Sequence, residues 1–403
     1  MSTSTTPRGR RVRATVAVLA GVLMVPLAAC GGESRSGPAT PTSPAQATRT
    51  SVPTTQPTAG PTGSCAERTL AGLDGPARAA QLLMVGVPAT DPLRGHRQLD
   101  GLPVGGVFLA GRSSAGADAV GAAVSEVQAS VELPVLVAVD QEGGAVQTLT
   151  GPGFDDLPPA LEQGRQPPEQ LRAQVAGWAQ QLRDAGITMD LGPVADTVPA
   201  GTEDANPPIG VFDRQYGSDP AAVAAAVTAV VQGLQDAGVA ATVKHFPGLG
   251  RVDVNTDTDE GAADPETSAG DPHLQPFAAA VDAGVAAVMV SSASYPQLDA
   301  ERPAVFSPAV VGLLRDQLGF DGVAVSDDVG AAVALSAVPV GQRAVDAIAA
   351  GNDVVLTVKV ADAAPMTEAL RQRATAEPAF AARVDESALR VLALKERFGL
   401  LTC

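Results

Sequence analysis

From residue 65 onward, short apolar segments alternate with longer alanine-rich stretches whose apolar positions recur at helical spacing. Nearly every short segment is apolar on both faces, which is typical of parallel strands covered by helices on each side. The eight predicted strands are residues 81–87, 104–109, 134–139, 187–194, 240–244, 285–291, 322–326 and 354–358. Predicted helices between them include residues 115–131, 169–185, 221–237 and 344–350.

Eight strands that alternate with helices predict an α/β fold of the (β/α)8, TIM-like barrel type, built as a single domain. Periodicity alone would also allow an open, doubly wound sheet. A barrel places its catalytic groups where strands end, and polar residues stand at the ends of four predicted strands: Asp140, Lys244, Ser291 and Asp327. We therefore expect a functional site at one rim of the barrel.

The first 29 residues have the pattern of a signal peptide, with four arginines between residues 8 and 13 followed by an apolar run over 14–29. That run is short for a membrane-spanning helix, which needs about 20 residues. It ends in Leu27-Ala28-Ala29-Cys30, which resembles the bacterial lipobox, where the cysteine becomes the lipidated first residue. An ordinary secretory signal with an incidental cysteine is the alternative, and both predict export.

We expect a protein anchored by lipid at Cys30 to the outer face of the cytoplasmic membrane or in the cell envelope, with no other membrane contact. Residues 30–64 then form the lipidated cysteine and a disordered tether, because Ser, Thr, Pro, Gly and Ala predominate there. The folded part spans residues 65–403. Cys65 and Cys403 stand at its two ends, and in an oxidising compartment we expect a structural disulfide between them.

Composition limits the possible partners. The net charge of −17 over 403 residues repels phosphate backbones and argues against a nucleic-acid partner. Asp253, Asn255 and Asp257 begin an EF-hand calcium pattern, but Thr258 stands where the loop needs glycine. The chain has no zinc-type cluster of His and Cys and no Gly-x-x-x-x-Gly-Lys phosphate loop. We expect a monomer with no metal and no cofactor.

Segments at the predicted strand ends resemble glycoside hydrolase family 3. The resemblance is to the bacterial branch of single-barrel exo-β-N-acetylglucosaminidases that act on peptidoglycan fragments, here in a lipoprotein form. The matching segments are VGGVFL at 104–109, DQEGGAVQ at 140–147, LGPVAD at 191–196, DRQYGSDP at 213–220, KHFPG at 244–248 and SDD at 326–328.

This resemblance implies a retaining, two-step mechanism in which a carboxylate attacks the anomeric carbon and water then releases the sugar. It assigns the nucleophile to Asp327, while Asp328 is expected to accept hydrogen bonds from the backbone. It also implies that four residues bind the sugar: Asp140, Arg214, Lys244 and His245.

Two positions depart from the pattern of this branch. Thr148 stands eight residues after Asp140, where the branch commonly has an arginine that helps to hold the sugar. Residues 255–257 read Asn-Thr-Asp, where the branch has Asp-Ser-His with the histidine as general acid/base. We expect Asp257 to supply the proton if burial or neighbouring charges raise its pKa. Glu260 or a neighbouring aspartate on the same loop, or loss of the proton donor, are the alternatives.

The expected function is an exo-glycosidase that removes terminal β-linked N-acetylglucosamine from cell-wall fragments such as muropeptides. One alternative is a glycan-binding envelope lipoprotein whose catalysis is weakened by the absent histidine. Another alternative is a β-glucosidase-type specificity on the same barrel. The absence of the arginine at Thr148 counts in favour of this alternative. The presence of Asp327 favours an enzyme, because a pure binder has no need of that carboxylate.

Overall fold

A computed structural model describes residues 63–403, so the predictions for the signal peptide, Cys30 and most of the tether lie outside the described residues. Eight parallel strands close into a barrel in sequence order, with the last strand beside the first. They are β1 Leu83–Pro88, β2 Gly106–Ala110, β3 Leu136–Val139, β4 Met189–Asp190, β5 Ala240–Phe246, β6 Ala287–Val290, β7 Val323–Asp328 and β8 Val354–Thr357. The closed barrel confirms the predicted (β/α)8 fold and excludes the open sheet.

Twelve α-helices lie in the described part of the chain, and most of them surround the barrel. They are α1 Cys65–Gly72, α2 Gly75–Gln81, α3 Pro92–Arg97, α4 Ala117–Ala129, α5 Ala160–Gln163, α6 Pro168–Asp184, α7 Pro220–Asp236, α8 Gln275–Asp282, α9 Pro308–Gly312, α10 Val340–Ala350, α11 Ala363–Ala376 and α12 Pro378–Arg397. Within residues 63–403 no helix is both long and apolar enough to cross a bilayer.

The predicted strand bounds were wrong by one or two residues at most strands, and three of the differences bear on the barrel rim. The fourth strand was predicted over 187–194, but its ladder holds only Met189 and Asp190. Pro193 has no N–H to donate, so the regular ladder cannot continue through it. The fifth and seventh strands instead run past their apolar segments to Phe246 and Asp328, which brings polar residues into the barrel rim.

Apolar side chains from the strands fill the barrel, among them Met84, Leu136 and Met289. Leu394 and Phe398, in and just after α12, pack into the same cluster. Cys65 and Cys403 form a disulfide with their Cα atoms 5.7 Å apart. The two ends of the described domain are therefore held together, with α1 against α12.

Lys395 on α12 is fully buried, and within residues 63–403 its amine donates one hydrogen bond, to Oε1 of Gln81 at 2.7 Å. Burial lowers its pKa from 10.5 to about 7. Between these two values the unfolded chain binds a proton that the folded protein lacks, so stability rises with pH in this window. Below pH 7 the folded protein carries the whole cost of a buried ammonium.

We expect Lys395→Met to raise the melting temperature by several degrees at pH 6 and by clearly less at pH 9, because the apolar side chain removes that cost. Thermal unfolding at the two pH values measures the difference. Arg97→Met, on the exposed surface of α3, is the control and should have little effect at either pH. An equal gain at both pH values would show that packing, and not the buried charge, controls the effect.

Candidate active site

A pocket of about 350 Å³ opens at the carboxyl ends of the strands. It contains all six residues predicted to act on the substrate: Asp140, Arg214, Lys244, His245, Asp257 and Asp327. Asp140 follows β3 and Asp327 lies near the end of β7, so four of the eight strand positions separate them in either direction. The two carboxylates therefore occupy opposite sides of the barrel mouth.

The wall near Asp140 is an ion-pair network. Nζ of Lys244 lies 2.6 Å from Oδ1 of Asp140 and 2.7 Å from Oε1 of Glu142. Arg214 donates from Nε and Nη2 to the two oxygens of Glu142, each at 2.8 Å. Both cationic side chains are thus held in place before any sugar binds, and Lys244 keeps a third N–H donor.

Charge in this network is stable across the ordinary pH range. Burial alone would raise the pKa of Glu142, but Arg214 and Lys244 lower it to about 2. Burial alone would lower the pKa of Lys244, but the carboxylates of Asp140 and Glu142 raise it above its usual range. We therefore expect Glu142 and Lys244 to keep their charges while the catalytic carboxyls titrate.

Asp196 holds the imidazole of His245 in place. Its Nδ1 lies 2.7 Å from Oδ2 of Asp196, and the other oxygen of Asp196 accepts the amides of His245 and Leu249. This pairing leaves Nε2 of the imidazole for the pocket. Sequence reasoning placed Asp196 and Glu142 in matching segments but missed both roles, because their partners lie far away along the chain.

The neighbouring carboxylates Asp327 and Asp328 differ in the hydrogen bonds that they accept. Asp328 accepts the backbone amides of Gly330, Ala331 and Val358, at 2.9, 3.0 and 3.1 Å, which confirms its expected structural role. Asp327 accepts one amide, that of Asp328, at 2.8 Å and faces the pocket. Both carboxylates line the pocket, and Asp327 has the greater acceptor capacity left for a ligand.

Asp257 lies on the loop after β5 and is the residue of the 253–260 segment whose carboxylate lines the pocket within the described chain. The nearby pocket walls reduce its hydration, and together with the charge of Asp328 they raise its pKa. Its side chain is exposed, so solvent limits this rise. The alternative donor Glu260 is exposed and does not line the pocket.

Burial also raises the pKa of Asp327, and Asp257 adds to the increase, whereas His245 and Lys244 oppose it. The charge of Asp257 thus disfavours ionisation of Asp327, and carboxyls that interact in this way titrate as a pair. A site with one ionised and one protonated carboxyl is the arrangement that glycoside hydrolysis needs. Within residues 63–403, no three His, Cys, Asp or Glu side chains are placed to hold a metal ion together.

The chain belongs to glycosyl hydrolase family 3, because the N-terminal domain of that family matches residues 77–394. It is therefore a glycoside hydrolase, as the resemblance implied. A beta-hexosaminidase of Xanthomonas euvesicatoria pv. vesicatoria (strain 85-10) is 39% identical over 288 residues, which cover 68% of this chain and 83% of that protein.

Two solved structures show the same fold. The beta-N-acetylhexosaminidase from Beutenbergia cavernae DSM 12333 is 47% identical with a TM-score of 0.78, over 80% of this chain and 99% of that one. The family 3 beta-N-acetylglucosaminidase from Paenibacillus sp. str. FPU-7 is 32% identical with a TM-score of 0.74, over 82% of this chain and 64% of that one.

Proposed function

We propose that this protein is a retaining exo-glycosidase that hydrolyses terminal β-linked N-acetylglucosamine from peptidoglycan fragments. The observation that carries the proposal is the single pocket in which Asp327 and Asp257 lie together with Asp140, Arg214, Lys244 and His245. The names of similar proteins, beta-hexosaminidase and beta-N-acetylglucosaminidase, support the choice of sugar. The predicted signal peptide and lipidation at Cys30 support a substrate outside the cytoplasm.

In the first step, a carboxylate oxygen of Asp327 bonds to the anomeric carbon while the glycosidic bond breaks. Asp257 gives its proton to the departing oxygen, which leaves as an alcohol. In the second step, Asp257 as carboxylate takes a proton from water. The water oxygen bonds to the anomeric carbon and releases Asp327, so Asp257 regains its proton and the sugar keeps its β configuration.

Positioned donors and acceptors hold the terminal sugar during both steps. Asp140 can accept from two sugar hydroxyls, and the third N–H of Lys244 and Nε2 of His245 complete the contacts. Because Glu142 and Asp196 already fix these side chains, little conformational entropy is lost when the sugar binds. We therefore expect this network to bind the terminal sugar in one fixed orientation.

Turnover of three substrates tests the proposal: an aryl β-N-acetylglucosaminide, the matching aryl β-glucoside and a muropeptide ending in N-acetylglucosamine. We expect the first and third to be cleaved and the glucoside to be at least tenfold slower. Preferred cleavage of the glucoside would support the alternative sugar specificity. Binding of N-acetylglucosamine by calorimetry without any turnover would overturn the catalytic proposal and favour a glycan-binding protein.

A further inference from the structure

A side pocket of about 140 Å³ adjoins the active-site pocket and has no part in the mechanism above. Phe108 of β2 and Asp140 line both pockets, so the two spaces meet at these side chains. The remaining walls come from the loop after β2, at Gly111 and Arg112, and from residues 145–148. The side pocket is therefore an extension of the sugar site past Asp140.

Its two walls are joined by backbone hydrogen bonds. The amide of Ser113 donates to the carbonyl of Thr148 at 2.8 Å, and the amide of Thr150 donates to the carbonyl of Ser113 at 2.9 Å. Thr148 also donates from its amide to the carbonyl of Asp140 at 2.8 Å. Because these bonds fix the separation of the walls, the space is part of the fold.

Arg112 supplies a positive charge at this side pocket. Its Nη2 donates to the carbonyl of Ala145 on the opposite wall, and within residues 63–403 it makes no ion pair with a carboxylate. A guanidinium has five N–H donors, so several remain for a ligand. The facing side chains Ala145 and Thr148 are small, which leaves room beside the exposed guanidinium of Arg112.

The position of the side pocket relative to a bound sugar follows from the barrel and rests on the proposed function. Asp327 must contact the anomeric carbon, and Asp140 lies on the opposite side of the mouth. In a pyranose ring, carbons 3, 4 and 5 lie away from carbon 1, and carbon 5 carries the exocyclic hydroxymethyl arm. The side pocket therefore lies beyond the end of the sugar that carries oxygens 3, 4 and 6, and oxygen 6, on its flexible arm, extends furthest from the ring.

We propose that this side pocket is a subsite for an anionic group carried on oxygen 6 of the terminal N-acetylglucosamine, and that Arg112 is its ligand. A sulfate or phosphate ester has the acceptor oxygens that a guanidinium binds best. The pocket then extends the range of substrates from the plain sugar to its 6-O-anionic esters. Arg112 determines this specificity and takes no part in bond breaking.

Two measurements with the purified full chain test this inference. The first compares kcat/KM for aryl β-N-acetylglucosaminide with that for its 6-O-sulfate and 6-O-acetyl esters. The second measures binding of N-acetylglucosamine 6-sulfate and of N-acetylglucosamine by calorimetry, which does not depend on turnover. We expect the 6-sulfate to be cleaved at least as efficiently as the plain substrate and to bind more tightly.

Arg112→Ala should lower the ratio of sulfated to plain kcat/KM by about 10- to 100-fold, the usual effect of losing a hydrogen bond to a charged group. Arg94→Ala, an exposed arginine on α3, is the matched control and should leave this ratio unchanged. Ala145→Phe, which fills the side pocket, should reduce cleavage of both 6-O esters relative to the plain sugar.

Three results would overturn the inference: exclusion of both esters by the unmodified protein, acceptance of the acetyl ester alone, or a ratio that Arg112→Ala does not change. Absence of turnover with the plain substrate would instead count against the proposed function. In that case, tighter binding of the 6-sulfate that Arg112→Ala abolishes would still support the subsite, and equal binding of the two sugars would overturn it.

Discussion

Asp327→Ala is expected to lower kcat/KM for an aryl β-N-acetylglucosaminide by roughly 10⁴-fold or more, as loss of an enzyme nucleophile usually does. The change removes the carboxylate that forms the covalent intermediate. Asp327 makes one backbone hydrogen bond, so the barrel should still fold. Steady-state kinetics give the loss, and circular dichroism with thermal unfolding confirms that the variant is folded.

Asp321→Asn is a matched control for this experiment. Asp321 precedes the same strand, β7, at the opposite end of the barrel and is exposed, so its substitution should leave kcat/KM within about twofold.

Added azide offers a second test of Asp327→Ala, because a small anion can attack the anomeric carbon from the side where the carboxylate is missing. We expect an α-glycosyl azide product from Asp327→Ala, and full activity of this variant would refute the assignment.

Asp257→Ala is expected to lower kcat/KM for a muropeptide by about 10²- to 10⁴-fold, the usual contribution of a general acid. An aryl substrate with an acidic phenol needs little protonation as it leaves, so its bond-breaking step should change by less than about tenfold. The comparison of the two substrates therefore separates loss of a proton donor from damage to the pocket. A loss that is equal for both substrates would contradict the role of Asp257.

Two other acidic residues on the loop of Asp257 provide control variants. Asp259→Ala removes an exposed carboxylate two residues away, and Glu260→Ala removes the alternative proton donor. We expect both variants to keep the muropeptide activity within about threefold, since neither side chain lines the pocket. Selective loss of muropeptide cleavage in Glu260→Ala would transfer the assignment from Asp257 to Glu260.

The pH dependence follows from the same two carboxyls. Activity needs Asp327 ionised and Asp257 protonated, so it should fall at low pH as the pair gains a second proton and at high pH as it loses the last one. Since reduced hydration in the pocket raises the pKa of both groups, we expect both limbs to lie above the values of free aspartate. Asp257→Asn should remove the alkaline limb, and a limb that persists would belong to another group.

The sequence determined the architecture and the main site residues. Eight doubly apolar segments in alternation with helices predict a parallel sheet that is covered on both faces, and the polar residues at four strand ends favoured a barrel over an open sheet. Asp140, Lys244 and Asp327 stand at the ends of such segments, so the rule that polar groups gather at strand ends located them. The family motifs then added Arg214, which lies on a long loop where periodicity has no information.

Only the tertiary structure decided how these residues are supported. Lys244 meets Asp140 across 104 positions, and Arg214 meets Glu142 across 72, which makes a pre-formed ion network out of separate motifs. The side pocket likewise depends on the loop at Arg112 lying against residues 145–148. Local patterns encode which face of an element is buried. Barrel closure decides which distant loops then lie within hydrogen-bond distance of each other.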